Sequence, residues 1–254
     1  MSEQRSPKTV KSDETLIRIL EAIQEMNGAG ITEIADEIGF SKSSVYRHVV
    51  TLEQHGFLDK HGTDYRIGLR FLEFSVEARN DRLIYQEAKH RVDEIAEDTG
   101  EKVWIITEEN GKACYLYRAE GSHPVKTYAA EGQFTELHHL AAGKAILAHL
   151  PEERVDRIVA QQGLTSQTKN TITEVQTLKQ ELKTIRERGV AYNDEESMIG
   201  LRAIGVPIRK ADEKVYGAIS VSAPANRMSD DRQQQLSQLL MGIANEIEIN
   251  IRHA

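Results

Sequence analysis

A chain of 254 residues, 39% of them hydrophobic and 28% charged, exceeds an ordinary domain of roughly 100 to 150 residues and is too apolar for a disordered polymer, so two folded cores are expected. Cys114 is the only cysteine, which excludes an intramolecular disulfide and a multi-cysteine zinc site and reads as a lone buried core residue. No apolar run approaches the ~18 residues of a membrane helix, the opening MSEQRSPKTVKSDE lacks the core of a signal peptide, and the expected compartment is the cytoplasm.

The net charge of −8 runs against nucleic-acid binding for the chain as a whole. Its distribution does not. Residues 12 to 40 hold seven acids against Arg18 alone, whereas residues 41 to 72 hold five Lys and Arg (Lys42, Arg47, Lys60, Arg66, Arg70) against three acids. The positive excess therefore falls on one short segment.

Residues 1 to 12 are expected to be disordered. Leu16, Ile19, Leu20, Ile23 and Met26 then recur at helical spacing and stop at Asn27-Gly28-Ala29-Gly30. Ile31, Ile34, Ala35 and Ile38 predict a short second helix with Thr32 as N-cap, ended by Gly39, and Phe40 is expected to fill the turn. Ser41 is a good N-cap for a third helix whose Val45, Val49 and Leu52 face inward. Lys42, Ser43, Ser44, Tyr46, Arg47 and His48 are left outward, a polar and basic face. A short helix, a tight turn and a longer helix match the helix-turn-helix, whose second member enters the major groove. FLDKHGTDYRIG follows as a hairpin, with strands near 57 to 60 and 65 to 67, and places Lys60, His61 and Arg66 where a wing meets phosphate. Residues 15 to 68 thus read as a winged helix-turn-helix. Each Lys or His alone is an ordinary solvated charge; the ordered series carries the reading.

LRFLEFSVEARN at 69 to 80 is helical and apolar on two sides, which fits either a dimerisation face or a linker buried within one chain. Residues 69 to 81 are assigned to this linker and 82 to 254 to a second domain. Residues 82 to 98 are amphipathic through Ile84, Ala88, Val92, Ile95 and Ala96 and end at Gly100. VWIIT and ACYLYRA flank Asn110-Gly111, the strongest hairpin signal in the chain, and VKTYAA at 125 to 130 extends the same sheet. Helices are expected at 141 to 150, 151 to 162 and 173 to 189, the last opened by a capping box from Thr173 to Gln176. VAYND, AIGVPI and VYGAISVSA supply later strands, and a final helix runs from Ser229 to about residue 252. The class is α+β with an antiparallel sheet.

A hydrolase could be drawn on paper from Asp194, Glu195, Glu196, the pair His138 and His139, and Ser220. No GxSxG, P-loop, HExxH or GxGxxG pattern supports it, and side chains of consecutive residues diverge. The expectation is no catalysis and no cofactor. A metal site using His138 stays open, as does a protein-interaction role for the winged helix.

Across residues 13 to 252 the chain resembles the IclR family of transcriptional regulators. The blocks that carry the resemblance are TEIADEIGFSKSSVYRHVVTLEQHGFL at 32 to 58, YRIGLRFLEFS at 65 to 75, LHHLAAGKAILAHLP at 137 to 151, RERGVAYNDEESMIGLRAIGVPI at 186 to 208 and GAISVSAPANRMS at 217 to 229. Members from halophilic archaea look nearest, which suits the acidic balance. Departures fall at Leu140, where the family often has a small residue, and at Ser222-Ala223-Pro224, where it often reads Ser-Gly-Pro. The resemblance implies a dimer or dimer of dimers on a palindromic operator, with a GAF-like second domain that binds a small metabolite such as an organic acid or sugar. It implies a pocket bounded by Val125, Ala141, Ala142, Asn193, Leu201, Ala203, Ser220 and Ser222. Ser220 and Ser222, two apart on a strand, point to one face. Backbone N–H groups from Ala141 to Gly143 are candidates for an anion. Arg202 either meets a carboxylate or pairs with Glu195 or Glu196.

Overall fold

Ile19, Ala22 and Ile23, spaced three and four residues apart, give α1 (Lys11–Glu25) one buried stripe. The structure, a computed structural model, describes residues 9–210 and 214–253. The disorder expected through residue 12 is corrected at Lys11 and Ser12, which are helical; residues 1–8 lie outside the described residues. After α1 come β1 (Ala29–Gly30), α2 (Ile31–Ile38), α3 (Lys42–Gln54), β2 (Leu58–His61), β3 (Asp64–Ile67) and α4 (Arg70–Asn80). The chain divides into two compact units between Ala78 and Arg79.

The core of the first unit collects Ile19, Ile23, Ile34, Val45, Val49, Leu58 and Tyr65. Burying such side chains stabilises by about 1.5 to 3 kcal/mol each, which is what holds three short helices that are marginal alone. Two local expectations are corrected here. Gly30, not Thr32, is the N-cap of α2, and its N–H donates to the Glu33 carboxylate at 2.8 Å. Thr32 lies exposed within the first turn. Phe40 does not fill the turn but stands 38% exposed, with the Arg18 guanidinium 5.4 Å from its ring centre. The hairpin is also part of a three-stranded sheet, because β1 pairs with β3 through Ala29↔Tyr65 and Gly30↔Asp64. α4 contains no fully buried residue. Phe71 and Phe74 rest on Phe57, with ring centres 5.0 and 5.6 Å away, while Leu69, Leu72 and Val76 remain exposed.

The second unit is built from α5 (Leu83–Thr99), β4 (Lys102–Glu109), β5 (Lys112–Glu120), β6 (Phe134–Thr135), α6 (Ala141–Leu147), α7 (Glu152–Gln162), α8 (Val175–Arg188), β7 (Ala191–Asp194), β8 (Leu201–Arg209), β9 (Val215–Pro224) and α9 (Asp230–His253). Its six strands run in the order β6-β5-β4-β9-β8-β7, every neighbouring pair antiparallel. Strand alternation sorts the side chains: Val103, Ile105, Ile219 and Val221 join α5 and α9 on one face, and Trp104, Ile106 and Ala218 join α6, α7 and α8 on the other. The β4–β5 turn has Asn110 at φ 52° and Gly111 at φ 85°, the left-handed pair that a two-residue hairpin requires.

Residues 125 to 130 form no strand; β6 takes the place beside β5. The capping box expected from Thr173 to Gln176 is absent, and Glu174 is the N-cap of α8. Cys114 is half-buried, and that burial pushes its thiol pKa up. No helix among the described residues is long and apolar enough to cross a membrane.

Candidate functional site

Two regions bring together the side chains singled out by sequence. In the first unit Ser41 caps α3, accepting the Ser44 N–H at 3.3 Å, and Val45 and Val49 lock the helix down from beneath. Lys42, Ser43, Tyr46 and Arg47 are exposed on its outer side, and Ser44 and His48 are half-buried beside them. Among the described residues no hydrogen bond or ion pair holds the side chains of Lys42, Tyr46 or Arg47. They are presented to solvent on a fixed helix. In the wing, His61 lies 2.9 Å from Asp59, the Lys60 ammonium sits 5.6 Å from the Tyr65 ring centre, and Arg66 is exposed. Arg70, counted with the basic segment, instead donates to the His55 carbonyl at 2.6 Å and stacks on Phe57, so it fastens α4 to the end of α3. Arg18 was legible only as a charge. It donates to the Ile38 carbonyl at 2.8 Å and fixes the turn between α2 and α3.

In the second unit a cavity of about 280 Å³ opens between the sheet and α6. Ser220 and Ser222 of β9, 3% and 6% exposed, lie on its floor with Trp104 and Ile106 of β4 and Leu201 and Ala203 of β8. Neither serine hydroxyl is hydrogen-bonded to another described residue. Ala141 and Ala142 form the opposite wall. They can approach because Gly205 of β8 has no side chain: a Cβ there would lie 2.5 Å from the Ala142 nitrogen. The departure from the family pattern at Leu140 lies in this wall as well.

Asn193 also reaches the cavity, but its amide is already engaged. It donates to the His139 carbonyl at 2.7 Å and to Ser197 Oγ at 2.9 Å, and accepts the Glu196 N–H at 2.9 Å. Beside it a buried Lys144 pairs with Glu196 at 2.5 Å, joining α6 to the segment after β7. Burial pushes the Glu196 carboxyl up, against the pull of the Lys144 ammonium. Its second oxygen has no hydrogen-bond partner among the described residues.

Three of the sequence candidates stand outside the cavity lining. Gly143 packs against Leu137, where a Cβ would meet the Leu137 carbonyl oxygen at 2.0 Å. Arg202 alternates with Leu201 and Ala203 and so leaves the sheet on the other side, where it meets Asp194 at 2.6 Å rather than Glu195 or Glu196. Val125 is half-buried in the irregular segment after β5. Sequence reasoning missed Trp104 and Tyr115, whose rings meet edge-on at 4.7 Å, as well as Thr127, Thr135 and His139. Trp104 and Ile106 carried a usable signal, since alternation on β4 puts them on one face. The loop residues carried none.

His139 is 5% exposed, and burial depresses it to about 4, so it faces the cavity as neutral imidazole at pH 7. His138 is also lowered by burial and donates from Nε2 to the Thr165 carbonyl at 3.1 Å. Among the described residues no three His, Cys, Asp or Glu side chains are placed to hold a metal ion. With its serines, tyrosine and histidine the cavity can grip a small polar ligand while its aromatic and aliphatic walls cover the ligand's body.

Comparison with known proteins adds a further line. Residues 16–62 match the IclR helix-turn-helix domain, and residues 77–249 match the bacterial transcriptional regulator IclR C-terminal domain. The chain is 33% identical over 253 residues, 98% of its own length and 96% of the relative's, to a Halobacterium salinarum protein named Probable HTH-type transcriptional regulator ArcR. The crystal structure of the Thermotoga maritima IclR superposes with a TM-score of 0.76 at 29% identity, covering 95% of this chain and 97% of that one. An IclR homologue from Microbacterium hydrocarbonoxydans, solved in complex with 4-hydroxybenzoate, shares the fold with a TM-score of 0.79 at 19% identity, covering 96% and 100%.

Proposed function

The chain belongs to the IclR family of transcriptional regulators, and from that premise we propose that the outer side of α3 reads operator DNA and that the cavity between β9 and α6 holds the effector. The protein is a DNA-binding transcriptional regulator, not an enzyme, and a small molecule bound in its C-terminal domain modulates operator binding. It acts in the cytoplasm, where its DNA is.

On this reading Lys42, Ser43, Ser44, Tyr46, Arg47 and His48 enter the major groove from a helix whose apolar side is buried, with Thr32 and Ser41 near the backbone. Lys60, His61 and Arg66 of the wing meet phosphate, and their contribution weakens with salt. The exposed Leu69, Leu72 and Val76 of α4 cover one another in a homodimer or a dimer of dimers, whose paired helices select a palindromic site with half-sites about one helical turn apart or a multiple of it.

The observation that carries the effector assignment is the pair of hydroxyls, Ser220 and Ser222, that lie on the floor of the cavity without a hydrogen-bond partner among the described residues. A hydroxyl that faces the cavity with no protein partner is available to donate to or accept from a ligand's polar group. The effector is a small organic acid or sugar, a reading to which the 4-hydroxybenzoate complex of the Microbacterium relative lends support. Replacing both Ser220→Ala and Ser222→Ala is expected to leave operator affinity intact in a mobility-shift assay and to blunt the effector response. Full response in the double variant would place the effector elsewhere.

A further inference from the structure

A chain with a net charge of −8 has little reason to crowd arginines together, yet it does so beyond the far end of α6. That helix opens with Ala141 and Ala142 in the cavity described above, and the chain that leaves its other end, His149-Leu150-Pro151, lines a second, wider groove of about 1000 Å³. The two share no residue. Arg186 of α8, Arg209 at the end of β8 and Arg252 in the last turn of α9 meet in this groove. One buried carboxylate answers them. Glu248, 6% exposed, accepts the Arg209 backbone N–H at 2.8 Å and its Nε–H at 3.2 Å, and its second oxygen lies 4.0 Å from Arg252. Arg186 has no carboxylate among the described residues and donates from Nε to the Ala148 carbonyl at 2.6 Å. Glu152, the other acid of the lining, is exposed and stands 3.0 Å from Lys179 instead. Lys210 and Lys214 line the groove as well; Asp212 and Glu213, between them, lie outside the described residues.

The three arginines alone therefore leave an excess of positive charge, and its field is felt within the groove. Burial lowers the pKa of His149 from its ordinary value, and the charges of Arg209 and Arg186 push it the same way, while Nδ1 donates to the Ala145 carbonyl at 3.0 Å. The basic surface also continues along α8, where Lys179, Lys183 and Arg186, spaced four and three apart, share one side of the helix and border an adjoining hollow of about 220 Å³. A guanidinium offers a planar fork of donors that matches the oxygens of an anion, and cations held this close favour a ligand with more than one negative charge. The groove is concave and built from four separate parts of the fold, at the upper end of the roughly 300 to 1000 Å³ of small-molecule sites, so it suits a compact ligand larger than a single phosphate. We propose that this groove is a ligand site separate from the effector cavity and that it takes a soluble compound with two or more phosphoryl groups. Its phosphoryl oxygens lie on Arg186, Arg209 and Arg252, and any organic body lies on Leu150, Pro151 and Val215. The site stands whether or not the first cavity holds the effector.

Isothermal titration of the full-length protein at fixed ionic strength, without added metal ions, compares orthophosphate, tripolyphosphate, ATP and citrate. Tripolyphosphate and ATP are expected to bind about tenfold or more tightly than orthophosphate. ATP binding more tightly than tripolyphosphate would place an organic body on Leu150, Pro151 and Val215, and equal binding would assign recognition to the phosphoryl chain alone; both support the site. Arg186→Gln combined with Arg252→Gln is expected to lower the affinity about tenfold or more and to leave operator binding unchanged. Arg252→Gln alone removes no hydrogen bond to a described residue, so its expected severalfold loss guards against a folding defect in the double variant. Lys42→Ala combined with Arg47→Ala on α3 is expected to leave tripolyphosphate binding as it is. Silence from both tripolyphosphate and ATP, or binding unchanged in the arginine variants, overturns the proposal. Loss of binding in the α3 variant does so too, by putting the anion on the DNA-reading face. Citrate binding as tightly as tripolyphosphate overturns the phosphoryl class.

Discussion

On α3 the candidate side chains stand in solvent and what fixes them lies beneath, in Val45, Val49 and the Ser41 cap. In the cavity the reverse holds: Ser220, Ser222, Asn193 and His139 are almost fully buried, the serines by sheet packing, and Asn193 is held by polar contacts to the His139 carbonyl and the Glu196 N–H, next to the Lys144–Glu196 pair. An exposed face loses little stability when a side chain is removed, because water replaces the lost partner. A buried polar layer loses much, because nothing does. Mutations should therefore separate: those on the outer side of α3 change binding, and those in the buried Lys144–Glu196 pair behind the cavity change folding.

The largest separation is expected at Lys144→Met, which leaves Glu196 buried without its cation and should lower stability by about 3 to 5 kcal/mol, read as a shift of the urea midpoint. Adding Glu196→Gln should return most of that loss. A single variant as stable as the parent would mean that the pair is not an interior contact. The pH response of His139 follows. Folding depresses it from 6.5 to about 4, so between those values the unfolded chain binds a proton that the folded chain refuses. The stability present above pH 6.5 is lost as pH falls toward 4, by about 3 kcal/mol. His138 and His149 are lowered by burial too and add to the slope. The measurement is accordingly the difference between the parent and His139→Gln, whose acid limb should be flatter; parallel curves would remove His139 from the account.

On the exposed side the effects are smaller and of another kind. Arg47→Ala is expected to weaken operator binding by about 1 to 3 kcal/mol where the side chain reads a base edge, with the melting temperature unchanged. Unaltered mobility shifts would take Arg47 off the reading face. Ser41→Ala should cost about 1 kcal/mol of stability in the first unit through the lost cap, measurable by thermal unfolding. A loss several times larger would show that Ser41 does more than accept the Ser44 N–H.

Much of the first unit was legible because its information is local. The period of Ile19, Ile23, Ile34, Val45 and Val49, the Ser41 cap and the hairpin all lie within a few residues of what they specify. The N-cap at Gly30 was missed because a glycine offers no side chain to read, and β1 because two residues show no period. In the second unit the helices and the strands other than β6 were legible, a strand having been expected at 125 to 130 instead, and the cavity only in part. Its placement of Ser220 and Ser222 on one face follows from strand alternation, whereas Arg202 joins Asp194 because the same alternation turns it away. The burial of Lys102, which no local pattern marks, depends on β9 and on the irregular segment that carries Thr127.

The sequence by itself determined a winged helix-turn-helix followed by an α+β domain, the family, and which face of α3 is polar, since hydrophobic period, caps and turn residues act over one or two turns of chain. Only the tertiary structure decided that Arg18 and Arg70 are fasteners, that Lys144 meets Glu196, and that Trp104 and His139 line one cavity with two serines. Those contacts join residues apart in the chain, from 15 positions for Arg70 and His55 through 52 for Lys144 and Glu196 to 116 in the register that sets Trp104 against Ser220. At such separations the partner is chosen by sheet order and register, which no local pattern encodes.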